Sequence, residues 1–201
     1  CIVVVLVQLQ EYPLCPLIIA GVAGAHFPAP VEAEANVVQL LAVAFDVFGS
    51  RQVLDDFPKY TSRQALTTFL ARHFIFRHIL EIHGSVIECG VYTGAGLMTW
   101  AQLSSIYEPV GGVTRNIFGF DTFEGFVDVT EEDGEGHKKG DYSTDIGYEK
   151  ELSEILSNLE SSSPLSHIQK TSLVKGDASE TIKIWLQENP FVAIGLAIFD
   201  M

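Results

Sequence analysis

The 201-residue chain is apolar and acidic: 47% of its residues are hydrophobic, 19% are charged, and 12 basic against 26 acidic side chains give a formal charge of −14. That composition holds ample material for a core and excludes a disordered chain; with no cluster of Lys or Arg, it also excludes a phosphate-backbone or anionic-membrane partner. Cys1, Cys15 and Cys89 supply neither a disulfide framework nor a metal-binding spacing, so a reducing, cytoplasmic setting is the expectation.

Residues 1–45 read as an apolar leader and linker, with the first N-terminal helices beginning near Val31. Leu14–Ala25 has the apolar character of an export signal, but the basic n-region is missing, and Gln8, Gln10 and Glu11 interrupt any membrane-spanning length. Val31–Phe48 is expected to be helical. Leu66, Phe69, Leu70, His73, Phe76 and Leu80 then recur at three- and four-residue spacing, the stripe of an amphipathic helix.

Four short apolar runs follow: Ser85–Val91, Asn116–Asp121, Ser172–Asp177 and Ile194–Asp200. Each suits a strand buried on both faces. Between them lie helical segments at Gly94–Ile106, at Tyr148–Leu159 (Leu152, Ile155, Leu156 and Leu159 on one face) and at Ser179–Glu188, with Asp177 and Glu180 spaced as a capping box. This alternation predicts an α/β fold over residues 46–201: a Rossmann-like, doubly wound parallel sheet. The last run reaches the end of the sequence, and the sheet is expected to be truncated after its fourth strand. Residues 121–160 hold 13 of the 26 acids, and Asp128–Thr144 within them reads as a solvated loop or a lid over a ligand crevice.

In an open parallel sheet, ligands bind outside the carboxyl ends of the strands. Glu88, Asp121, Asp177 and Asp200 are expected to converge on that edge. The turn after the first strand carries Glu88, Gly90, Tyr92, Thr93, Gly94 and Gly96. Its glycines run G-x-x-x-G-x-G rather than G-x-G-x-x-G. Tyr92 stands where a dinucleotide fingerprint needs a glycine against the pyrophosphate, and Asp121 lies well beyond the roughly 20 residues that such a fingerprint allows. A ligand without phosphates, bearing an amino-acid end, fits better: amino acid and sulfonium at the glycine loop, ribose at Asp121, adenine near Asp177 and Ser179. These requirements describe S-adenosylmethionine.

Three segments carry a family resemblance: Gly84–Gly94 (GSVIECGVYTG), Phe120–Phe126 (FDTFEGF) and Gly176–Ile182 (GDASETI). They resemble the macrocin O-methyltransferase family, and the similarity runs from about Phe57 to Met201. The resemblance implies a class I methyltransferase acting on a hydroxyl of a sugar or small secondary metabolite. It also implies a magnesium ion held by Asp200 and by an acidic pair beyond Met201, and a histidine base in that same portion; no histidine present is assigned the role. The partner expected is a small-molecule hydroxyl acceptor, with a homo-oligomer left open by the sequence. The competing readings are a binding or scaffold protein on a methyltransferase fold, and an NAD-dependent enzyme.

Overall fold

A computed structural model describes residues 2–5, 20–22, 55–108, 115–126, 140–162 and 166–200, the first two segments by backbone alone. The expected helix at Val31–Phe48 and most of the acidic loop, Asp128–Lys139, lie outside the described residues. The chain divides into two compact units, Cys1–Ala23 with Ile75–Met201, and Gly24–Phe74.

Within the second unit, Phe57–Lys59 forms a single 3-10 turn. Helix α1 follows at Arg63–His78, its last residues from Ile75 on belonging to the larger unit. Of its expected apolar stripe only Phe76 is fully buried; Leu70 is 59% exposed, and Leu80 falls beyond the helix end.

The larger unit is a six-stranded sheet: β1 (Ile2–Val5), β2 (Ala20–Val22), β3 (Ser85–Cys89), β4 (Ile117–Asp121), β5 (Thr171–Lys175) and β6 (Ile194–Phe199). Its spatial order is β2-β1-β6-β3-β4-β5. The four strands expected from sequence form the parallel part, with β3 pairing in parallel to both β4 and β6, and β5 to β4. Each strand is shorter than its apolar run. Asp121 closes β4, whereas Asp177 and Asp200 fall just past the ends of β5 and β6. Two strands come from the segment read as a leader, since β1 pairs antiparallel with β6 and β2 with β1. No described helix is long and apolar enough to cross a membrane.

Helices cover both faces, as a doubly wound sheet requires. On one side α2 (Ala95–Tyr107) sets Leu97 against Gly119 of β4, and α3 (Tyr148–Ser161) buries Leu152 and Leu156, while Ile155 stays exposed. On the other side α4 (Ala178–Glu188) packs Ala178, Ile182 and Trp185 over Ile87, Cys89 and Phe120. Trp185 meets Phe118 and Phe120 edge-on at 4.6 and 5.5 Å between ring centroids, a geometry that the ring quadrupoles favour. All five residues of β3 are buried. Burial first, and the charge of Glu88 second, push the Cys89 thiol up to about 11, so it stays protonated and acts as a small apolar filler.

At the sheet's amino-terminal edge the connection before β4 carries Arg115, 4% exposed. Its guanidinium donates to the carbonyls of Ile79, Ile82 and Gly84 at 2.8–2.9 Å and pairs with Glu108 at 2.8 Å. It also lies 5.7 Å from the centre of the Phe76 ring.

Candidate active site at the carboxyl edge of the sheet

The carboxyl ends of the parallel strands are joined by backbone hydrogen bonds. The amide of Asp200 donates to the Cys89 carbonyl at 2.8 Å, that of Gly90 to Phe120 at 2.9 Å, and that of Gly176 to Asp121 at 2.8 Å. Because β6, β3, β4 and β5 are neighbours in that order, Asp200, Glu88, Asp121 and Asp177 stand along one edge.

Glu88 is 2% exposed. Its carboxyl carbon lies 2.8 Å from the point where a Cβ on Gly96 would sit. The acid therefore occupies the space left by the missing side chain in the first turn of α2, where the positive end of the helix dipole favours an anion. Adding a single methyl group here, in Gly96→Ala, forces Glu88 to move. We expect a loss of about 1–3 kcal/mol by denaturant unfolding, as for other overpacked sites. Adding Glu88→Ala to the same chain should restore most of it; persistent destabilisation in the double variant would show that the clash is not the cause.

Asp121 does more than end a strand. Its Oδ2 accepts hydrogen bonds from the amides of Val91 and Tyr92 at 2.6 and 2.7 Å, and its Oδ1 accepts from Phe123 at 2.6 Å. One carboxylate thus fixes the glycine loop to the turn after β4. The Val91 and Tyr92 amides, which a dinucleotide loop would aim at a pyrophosphate, are already committed to an acid. A phosphate placed there would meet that acid's negative charge.

The FDTFEGF motif forms one half of a clamp. The Thr122 hydroxyl donates to the Gly125 carbonyl and accepts from the Glu124 amide. Phe126 and Gly140 exchange backbone hydrogen bonds with Asp141 and Phe126, Thr144 donates to Phe123, and Glu124 bridges to Ser143. A Cβ on Gly125 would lie 2.6 Å from the Gly140 carbonyl oxygen, so only glycine permits this approach. Tyr148, at the start of α3, donates its hydroxyl to the Thr93 carbonyl at 3.0 Å and draws the far end of the clamp to the glycine loop.

Between the clamp and β5 lies a cleft of about 300 Å³ walled by Phe123, Thr144, Asp145 and Glu149. Lys175 stands in it 3.9 Å from Glu124 and 3.8 Å from Glu149. Such long, solvent-reached pairs contribute little to stability.

Asp177 caps α4, accepting from the Ser179 amide at 2.8 Å, and hydrogen bonds from Ser179 hold its carboxyl below the usual range. Glu180 pairs with Lys183 instead of closing the capping box. Asp200 is exposed, and among the described residues no three His, Cys, Asp or Glu side chains gather. Magnesium takes one or two carboxylates and completes its octahedron with water or substrate oxygens; Asp200 could supply one such carboxylate, and among the described residues no ligand cluster joins it.

The structure thus brings the glycine loop and Asp121 into direct contact and places Asp177, Ser179 and Asp200 at adjoining strand ends. It also brings to this edge residues to which the sequence assigned no role at the site: Phe123, Tyr142, Tyr148, Glu149 and Lys175. Phe123 lies within the FDTFEGF motif and Tyr148 and Glu149 at a helix start; Tyr142 and Lys175 carry no signal of their own in the sequence.

No protein-family model matches the chain, and neither does any curated protein. Solved structures do. A crystal structure of the calicheamicin methyltransferase CalS11 superposes with a TM-score of 0.78 at 33% sequence identity, over 86% of this chain and 68% of that one. The apo form of CalS11, described as a TDP-rhamnose 3′-O-methyltransferase of calicheamicin biosynthesis, gives a TM-score of 0.70 at 31% identity with the same coverage. With that identity over two thirds of CalS11, and with the strand-end acids and phosphate-averse glycine loop already described, the chain belongs to the S-adenosylmethionine-dependent methyltransferase family that includes CalS11.

Proposed function

We propose that the chain moves the methyl group of S-adenosylmethionine to a hydroxyl of a sugar or small secondary metabolite, as a macrocin-type O-methyltransferase. The observation that carries this reading is the likeness to CalS11, a sugar O-methyltransferase, at 33% identity. The donor set is Glu88, Gly90, Tyr92, Thr93, Gly94, Gly96, Asp121, Asp177 and Ser179. Bound S-adenosylmethionine supplies a methyl group activated on a sulfonium. The chain's own task is to hold two reactants in line, which can remove much of the barrier in a displacement of this kind. Asp121 performs it in two ways: its carboxylate fixes the glycine loop, and its remaining lone pairs accept the ribose hydroxyls. Asp177 and Ser179 face the adenine. The buried Glu88 sets a negative charge behind the loop, on the side of the donor's ammonium and sulfonium. No step is assigned to a metal.

The test is a pair of titrations, with S-adenosylhomocysteine and with NAD, followed by incubation with methyl-labelled donor and TDP-rhamnose. We expect S-adenosylhomocysteine to bind, NAD not to bind, and label to enter the sugar. Binding of NAD in preference to S-adenosylhomocysteine would overturn the reading.

A further inference from the structure

Three described non-glycine residues have positive φ, and all three lie at this site: Tyr92 at 51°, Phe123 at 57° and Tyr142 at 63°. Bulky side chains avoid this region, and proteins hold them there mainly where function demands it. Phe123 is buried and anchors the clamp. The two tyrosines instead stay open to solvent, Tyr92 at 45% and Tyr142 at 56% exposure. Their rings meet at 89° with centroids 5.6 Å apart, and Phe126 supports Tyr142 from a further 5.4 Å at 79°. The backbones beneath them are tied down independently, Tyr92 by its amide to Asp121 and the Tyr142 segment by its pairing with Phe123–Phe126. The outcome is a rigid, right-angled aromatic corner beside the glycine loop.

We infer that the rings of Tyr92 and Tyr142 form the seat for the sugar ring of the methyl acceptor. The inference rests on the methyltransferase reading above, which puts the sulfonium at the glycine loop from which the Tyr92 ring rises. A planar base calls for parallel faces, as in a stacked slot. Two perpendicular rings instead offer apolar contact in two directions, which suits the axial and equatorial C–H groups of a puckered sugar ring. Tyr92 then serves both reactants, with its backbone in the donor loop and its ring under the acceptor. The corner is a binding and specificity device, and no proton transfer is assigned to either hydroxyl.

The test uses the full chain, with TDP-rhamnose as probe, followed by saturation-transfer NMR with and without saturating S-adenosylhomocysteine. Tyr142→Ala should weaken the sugar at least tenfold while leaving S-adenosylhomocysteine affinity within twofold, and Tyr142→Phe should retain sugar affinity. Tyr142→Gly accepts the positive φ, so it removes the ring without removing the backbone conformation; it should match Tyr142→Ala even if the alanine variant folds poorly. Unchanged sugar affinity in Tyr142→Gly would overturn the proposal, as would a loss confined to S-adenosylhomocysteine, which would give the rings to the donor. A wild-type chain that binds TDP-rhamnose nowhere near these rings would overturn it too. Failure of the wild type to bind S-adenosylhomocysteine would instead strike the donor reading, and the sugar titration run alone would still decide the role of the rings.

Discussion

Asp121→Ala should reduce affinity for S-adenosylhomocysteine at least 100-fold and lower stability by about 3 kcal/mol. Three amides lose a charged acceptor at once, and hydrogen bonds to charged groups contribute about 1.5–3 kcal/mol each. The sum is not fully realised, because Asp121 is only half-buried and water can reach part of the gap. The larger consequence is conformational. The positive φ of Tyr92 is disfavoured by about 1–3 kcal/mol and persists while its amide is held. Without the carboxylate the loop relaxes, and the ligand must then spend binding energy to rebuild it. Asp121→Asn keeps one oxygen and turns an amide nitrogen toward an N–H, so it should fall between wild type and alanine. Calorimetric titration and urea unfolding read the two effects separately. Weaker binding with unchanged stability would make Asp121 a ligand contact only; unchanged binding would remove it from the donor site.

Arg115→Ala should be the most destabilising single change in the larger unit while sparing the site. It leaves three carbonyls and the mostly buried Glu108 without their partner. Removing one member of a buried charge pair costs about 3–5 kcal/mol, and in a domain of this size each kcal/mol lowers Tm by roughly 2–4 °C. A drop of roughly 10 °C is therefore expected by thermal scanning. Affinity for S-adenosylhomocysteine in the folded fraction should stay within twofold, because Arg115 lies beyond the opposite end of β4 from Asp121, six residues or about 20 Å away at the rise of a strand. Arg115→Lys keeps the charge but loses the planar fork, and should recover less than half of the loss.

The parallel core was legible because it is written locally. Ile87, Phe118, Phe120 and Leu196 sit in short apolar runs, and the helices between them carry caps or a one-sided stripe that fixed their bounds to within about two residues. Asp121 and Glu88 were legible as strand-end acids for the same reason. What was not legible depends on partners distant in the chain. The β-branched run Ile2–Val5 looks like part of a leader until β6 is beside it. Arg115 has no pattern around it, and its importance comes from carbonyls of three separate segments. The stripe in α1 misled because periodicity gives a helix but not the extent of its burial. Tyr142 sat in an acidic stretch that reads as solvated; only the backbone pairing with Phe126 brings it to Tyr92.

Glu88 and Gly96 occupy a single volume. Size at one position and length at the other are therefore one variable in the drift of such sequences. A descendant that enlarges residue 96 must first shorten residue 88 and so give up the buried acid behind the loop; a lineage that keeps the acid keeps the glycine with it.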